Sequence, residues 1–329
     1  MPSLIYPDKL KKGDEIRVIA PSFSMELIPK PVLEISKKRL EDMGFVVTFG
    51  KNTDKKDIFE SSSAEERLTD LMEAFSDKTV KGIITAIGGY NVNYLLDNID
   101  WKVIKNNPKF FCGFSDITVL SNAILTKTGL VTFSGPNFRN FGQEKYFDYT
   151  LENFKRVAIE NEAFLVDISE FWSDDKWTKN QEKRKLIKNK GWWIINEGEA
   201  SGIVVGGNLC SLNLLQGTEY MPEIENKVLF IEDDSMSTVG EFSRNLQSLM
   251  HLKDFGKVKG VVFGRFQKKT KMTRKKITEL VKTKKELSRI PIIGNVDFGH
   301  TDPKITFPIG GEVLIISRGS ESKIEIRKH

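Results

Sequence analysis

Lys109-Phe110-Phe111-Cys112-Gly113-Phe114-Ser115-Asp116-Ile117 reads as a buried strand that breaks into a polar turn and re-enters as a helix. A short run of apolar residues without alternation suits a strand covered on both faces, as in a parallel sheet. Glycine, serine and aspartate end it. Leu120, Ile124 and Leu125 then continue at helical spacing. A serine at the carboxyl end of a strand, at the mouth of an α/β sheet, stands where such folds place their chemistry. Ser115 is then either a nucleophile or a helix N-cap, because Ser and Asp both favour capping.

The same alternation extends on either side. Residues 15–20, 45–49 and 80–87 read as strands, the last nearly all apolar and therefore central. Between them, residues 31–43 form a helix stopped by Gly44. Residues 64–75 form another, capped by Ser63 with Glu66 at the third position. A short strand at 131–133 and a helix at 150–159 close this half. Strands alternating with helices predict an α/β fold whose N-terminal domain, residues 1–166, is a parallel-sheet, flavodoxin-like unit. After residue 201 the pattern resumes. Strands at 228–231, 260–264, 292–296, 312–316 and 323–326, with helices at 239–252 and 273–288, make a smaller C-terminal α/β domain, residues 201–329.

Residues 167–200 break the pattern. Trp172, Trp177, Trp192 and Trp193, four of the chain's five tryptophans, sit there among lysines and acids. A passive linker carries few aromatics, so this interdomain loop is expected to pack on something. Lys183-Arg184-Lys185 form a basic cluster within it, either a solvated face or a site for an anion.

The 329 residues suffice for two domains. Fifty basic residues face 45 acidic ones, for a net charge of +5; a nucleic-acid binder would carry a dedicated basic face. No apolar run reaches the roughly 18 residues of a membrane span. Lysines and acids interrupt the first 15 residues, which excludes a signal peptide there. A cytoplasmic location is expected. Cys112 and Cys210 lie in apolar surroundings and read as buried thiols.

Three histidines are present. His329 is terminal, and His251 ends an amphipathic helix, where a cation is favourable. His300, in Gly299-His300-Thr301-Asp302-Pro303, follows a strand as Ser115 does. An imidazole so placed is the base a serine nucleophile needs; otherwise it is a hydrogen-bonded turn histidine. Glu232 ends another strand and could hold the second ring nitrogen. Asp233, Asp234, Asp297 and Asp302 compete for that place. No second acidic cluster has metal-ligand spacing, so no metal is expected.

The order Ser115, Glu232, His300 matches that of α/β-hydrolases, but Ile117 stands where their Gly-x-Ser-x-Gly elbow ends in glycine. Gly88-Gly89 follows a strand. The amide of Gly89, with that of Asp116 at the helix start, could form an oxyanion hole; a tight turn is the alternative. No phosphate-binding glycine motif supports a nucleotide cofactor.

These segments together resemble the LD-carboxypeptidase family of serine peptidases. The resemblance rests on Ala20-Pro21-Ser22, Gly88-Gly89-Tyr90, Gly113-Phe114-Ser115-Asp116, Gly206-Gly207-Asn208-Leu209, Phe230-Ile231-Glu232-Asp233 and Gly299-His300-Thr301. It implies a Ser115–His300–Glu232 triad, no cofactor, a homodimer and a site between two domains, with Asn208 among the substrate-binding residues. Ile87 stands where peptidoglycan-recycling members carry arginine. The long tryptophan-bearing loop is instead similar to the microcin C immunity (MccF-like) branch. That branch hydrolyses the amide joining a peptidyl or aminoacyl group to a modified adenylate. It implies a loop tryptophan stacked on the base, Trp177 first and Trp172 second. The competing expectations are removal of the terminal D-Ala from muramyl tetrapeptide and a non-catalytic small-molecule binder.

Overall fold

The computed structural model describes residues 2–329. Its first half alternates β1 (Glu15–Ile19), α1 (Lys30–Asp42), β2 (Val46–Phe49), α2 (Ala64–Ser76), β3 (Val80–Thr85), α3 (Trp101–Asn106), β4 (Phe110–Gly113), α4 (Ile117–Thr128), β5 (Thr132–Ser134) and α5 (Asp148–Ala158). The five strands are parallel, in the spatial order β5-β4-β3-β1-β2. That is the flavodoxin-like arrangement, in which ligands gather beyond the carboxyl ends of the strands. Every residue of β4 is buried, and its turn opens at that edge.

The helix α4 is buried on all sides from Ile117 to Leu125. A helix apolar all round belongs inside a protein, and α4 lies between the two sheets. Asn122 Nδ2 donates to Gly206 O (2.8 Å), and the Asn208 amide donates to Thr118 Oγ1 (2.9 Å). Short strands β6 (Phe164–Leu165), β7 (Phe171–Trp172) and β8 (Ile187–Lys188) follow, then β9 (Trp193–Asn196), β10 (Gly198–Asn208), α6 (Leu209–Asn213), β11 (Lys227–Glu232), α7 (Val239–Met250), β12 (Gly260–Gly264), α8 (Arg274–Lys282), β13 (Ile292–Val296), β14 (Phe307–Ile309), β15 (Glu312–Ser317) and β16 (Lys323–Lys328).

The second sheet has eight strands in the order β6-β16-β15-β10-β11-β12-β13-β9, with β10 to β13 parallel. Its edges depart from the division 1–166, 167–200 and 201–329. β6 joins the second sheet, β9 and the start of β10 come from the expected loop, and β14 pairs antiparallel with β5 in the first sheet. Short edge strands carry little periodicity, and pairing decides their place. The loop itself is anchored. Ser173 exchanges backbone hydrogen bonds with Asp302, while the Ser169 amide and hydroxyl donate to Asp297 at 3.1 and 2.9 Å. Asp297 is paired in turn with the buried Arg265. No helix among the described residues is long and apolar enough to cross a membrane.

Cys112 is buried, but Cys210 is exposed. Leu209 and Leu212 take the inward face of α6 and leave residue 210 outside.

Candidate active site

Ser115 occupies the turn between β4 and α4 with φ +68°, a left-handed conformation that a serine adopts only at some cost. It does not cap the helix: the cap position belongs to Asp116. The freed hydroxyl lies 3.0 Å from His300 Nε2, and His300 Nδ1 lies 2.8 Å from Glu232 Oε2. Glu232 is the last residue of β11, and His300 stands four residues beyond β13. Three strand ends on two sheets thus meet at one chain of hydrogen bonds. Its sense follows from chemistry: a carboxylate only accepts, so Nδ1 carries the proton and Nε2 accepts from the serine hydroxyl.

Two glycines make room for that chain. A Cβ on Gly88 would lie 2.8 Å from Ser115 Cβ. A Cβ on Gly299, whose φ is +97°, would overlap the Glu232 carboxylate. Asp116 ties the surroundings together, accepting from Ser22 Oγ (2.6 Å) and the Val92 amide (3.0 Å). Burial raises its pKa despite those donors.

The consecutive acids 232–234 diverge. Glu232 meets His300, Asp233 accepts from Ser237 Oγ (2.6 Å), and Asp234 accepts from the Met236 amide. Burial pushes Asp233 up to about 6, although the Ser237 bond opposes it. For His300, burial pulls the pKa down. The Glu232 charge and hydrogen bond together outweigh it, so the net shift is upward. Asp302 is drawn below the carboxylate range because Lys304 (2.5 Å) and Gln143 (3.0 Å) overcome its burial.

A cavity of about 460 Å³ opens over Ser115 and His300 between the two sheets, within the range of small-molecule sites. Gly88, Gly89 and Trp177 line it. Trp177 is only 5% exposed and packs into the N-terminal core. Trp172 and Asn208 are not among the lining residues. Arg265 and Lys268 cover the Trp172 ring at 5.1 and 5.5 Å. Asn208 caps α6, accepting from the Ser211 amide, and stands opposite Glu232 in the β10–β11 register. In the basic cluster, Arg184 is buried against Asp175 (2.9 Å), and Lys183 and Lys185 line a separate neighbouring depression.

The family description "LD-carboxypeptidase N-terminal domain" matches residues 16–135, and "LD-carboxypeptidase C-terminal domain" matches residues 201–315. The chain belongs to the LD-carboxypeptidase family. It is a serine-type carboxypeptidase, which sets aside the non-catalytic binder.

Among the relatives of this carboxypeptidase, the Bacillus subtilis protein named "Putative carboxypeptidase YocD" is 48% identical over 99% of this chain and 100% of its own. The crystal structure of an MccF-like protein from Bacillus anthracis has a TM-score of 0.98 at 50% identity, covering 99% of this chain and 100% of that one. The microcin C7 self-immunity protein MccF of Escherichia coli is 31% identical over 93% of this chain and 91% of its own. Its structures with glutamyl sulfamoyl guanosine and with aspartyl sulfamoyl adenosine each have a TM-score of 0.89 at 30% identity, covering 98% and 99% of both chains respectively.

The cavity of the carboxypeptidase also holds residues that the sequence reading did not single out: Asn137, Arg139, Asn140 and Lys304. The first three follow the strand end at Ser134-Gly135-Pro136. A polar run immediately after a strand was the signal available.

Proposed function

We propose that this carboxypeptidase hydrolyses the amide between an aminoacyl or peptidyl group and a modified adenylate, with Ser115 as nucleophile. As Ser115 Oγ attacks the carbonyl carbon, His300 Nε2 takes its proton, and Glu232 holds Nδ1–H and stabilises the imidazolium. The amides of Gly89 and Asp116 receive the oxyanion. Collapse of the tetrahedral intermediate breaks the C–N bond, and His300 returns the proton to the leaving nitrogen. Water then repeats the sequence on the acyl-enzyme.

The observation that carries the reading is one cavity lined by Ser115, by His300 with Glu232 behind it, and by Trp177. Stacking on an aromatic ring is worth about 1–3 kcal/mol per base, and the core already holds this ring in place. The nucleoside-bearing ligands of MccF supply the matching chemistry. The test offers purified enzyme an aminoacyl sulfamoyl adenosine and, separately, a muramyl tetrapeptide ending in D-Ala. Cleavage of the adenylate analogue, abolished in Ser115→Ala, is expected. Cleavage of the tetrapeptide alone would replace this substrate by the murein one, and turnover by Ser115→Ala would refute the mechanism.

A further inference from the structure

We propose that the turn Asn137-Phe138-Arg139-Asn140 is the anion-recognition site of this cavity, holding the negatively charged group on the leaving half of the substrate. The proposal rests on the reading that the amide is cut at Ser115.

Arg139 lines the cavity floor, and its backbone amide donates to Ala86 O at 3.1 Å, which sets the turn beside the Gly88-Gly89 segment. Among the described residues its guanidinium makes no ion pair within 4.0 Å and no hydrogen bond, and its buried Nε has no partner. Burial lowers its pKa while Asp302 opposes that shift, but a guanidinium stays charged throughout the working range. Asp302 is the one carboxylate acting on it, and that carboxylate is already committed to Lys304 and Gln143. Arg139 is therefore left without a carboxylate of its own.

The neighbouring amides point the same way. Asn137 Oδ1 accepts from Thr85 Oγ1 (2.6 Å) and the Phe114 amide (3.3 Å), and Asn140 Oδ1 accepts from the Asn137 amide (3.1 Å). Both oxygens are occupied. Asn137 and Asn140, each only 3% exposed as a whole residue, line the cavity, and neither NH₂ group donates to an acceptor among the described residues. The buried Arg139 Nε without a partner calls for an explanation, and a guanidinium flanked by two amides makes a wall rich in donors. Such a wall fits a carboxylate, a phosphoryl or a sulfamoyl group.

Binding separates this proposal from the reaction. Calorimetry on the full-length Ser115→Ala protein would use AMP against adenosine, and a dipeptide against its C-terminal amide. The anionic member of at least one pair should bind more tightly. Ser115→Ala/Arg139→Gln should lose about 10- to 100-fold of that affinity, the worth of a charged hydrogen bond, while the neutral member changes less than twofold. Arg139→Lys should recover part of the loss. Preference for AMP assigns a phosphoryl-type anion; preference for the free dipeptide assigns a carboxylate. Equal binding within both pairs, or equal losses of charged and neutral ligands in a folded Arg139→Gln protein, would overturn the proposal. These outcomes do not depend on turnover, so a failure of the Ser115 mechanism would show separately.

Discussion

Gly88→Ala places a methyl group against Ser115, the proposed nucleophile. The added Cβ would lie 2.8 Å from Ser115 Cβ and 3.0 Å from Ser115 Oγ. Carbon atoms in ordinary contact stand about 3.5 Å apart or more, so the strand end and the serine must separate by roughly 0.7 Å. The backbone at residue 88 is not left-handed, so alanine is otherwise acceptable there. The Ser115–His300 bond starts at 3.0 Å; moving Oγ away along that line carries it past hydrogen-bonding range. A misplacement of this size costs on the order of 10²-fold in rate, and the overpacking itself destabilises by about 1–3 kcal/mol. Steady-state kinetics on the cleaved amide should show the loss in kcat, with the protein still folded by circular dichroism. Gly256→Ala, with nothing within 4 Å of the new Cβ, serves as the control. A Gly88→Ala enzyme with kcat within twofold of wild type would refute the claim that this glycine makes room for catalysis.

Further outcomes follow from the same geometry. In Glu232→Gln, kcat should fall by about 10³–10⁴-fold, as when the carboxylate of a serine triad becomes an amide. The acid limb of residual kcat/KM should move to lower pH, because Glu232 is what holds His300 above its ordinary 6.5. A raised histidine pKa contributes stability that is full below 6.5 and lost as pH rises through the folded value. Denaturant titrations of Ser115→Ala should therefore show that contribution fading above 6.5, with a flatter profile once Gln replaces Glu232; an unchanged profile would contradict the pairing. Ser115→Gly should abolish activity yet unfold at a higher denaturant midpoint than Ser115→Ala, by about 1 kcal/mol, since glycine adopts φ +68° without the side-chain penalty. A less stable glycine variant would show that the turn carries no strain.

The strand–turn–helix around Ser115 is legible because β4 is buried on both faces and reads as an unbroken apolar run. Ser115, Glu232 and His300 are legible for a related reason: each follows such a strand, and a parallel sheet gathers those ends. Its left-handed φ is not legible, since neither Gly113 nor Ile117 marks the turn as an elbow. After Gly89 the chain forms a 3₁₀ segment (Val92–Asn98) and then α3, because the Asp100 side chain caps the Lys102 and Val103 amides and starts a new helix. Trp172 and Trp177 look equivalent in a polar loop. Only the packed structure separates a ring covered by Arg265 and Lys268 from one facing the cavity. Arg139 escapes notice for the opposite reason. An arginine in sequence gives no sign that it lacks a partner, and the missing carboxylate is a property of the fold.

The burial of α4 gives the two sheets one common support, and the tryptophan loop has another. Its first turn adjoins Ser115, while Thr118 and Asn122 fasten it to the sheet that supplies Glu232. Ser115 and Glu232 are thus registered through one rigid shaft, and drift in one is transmitted to the other. The tryptophan loop is pinned elsewhere, by Ser169 and Ser173, to the segment 297–302. Residues in that loop can be exchanged without touching the shaft. The same anchor carries His300, so exchanges that keep Ser169 and Ser173 bonded to it leave Ser115, His300 and Glu232 aligned.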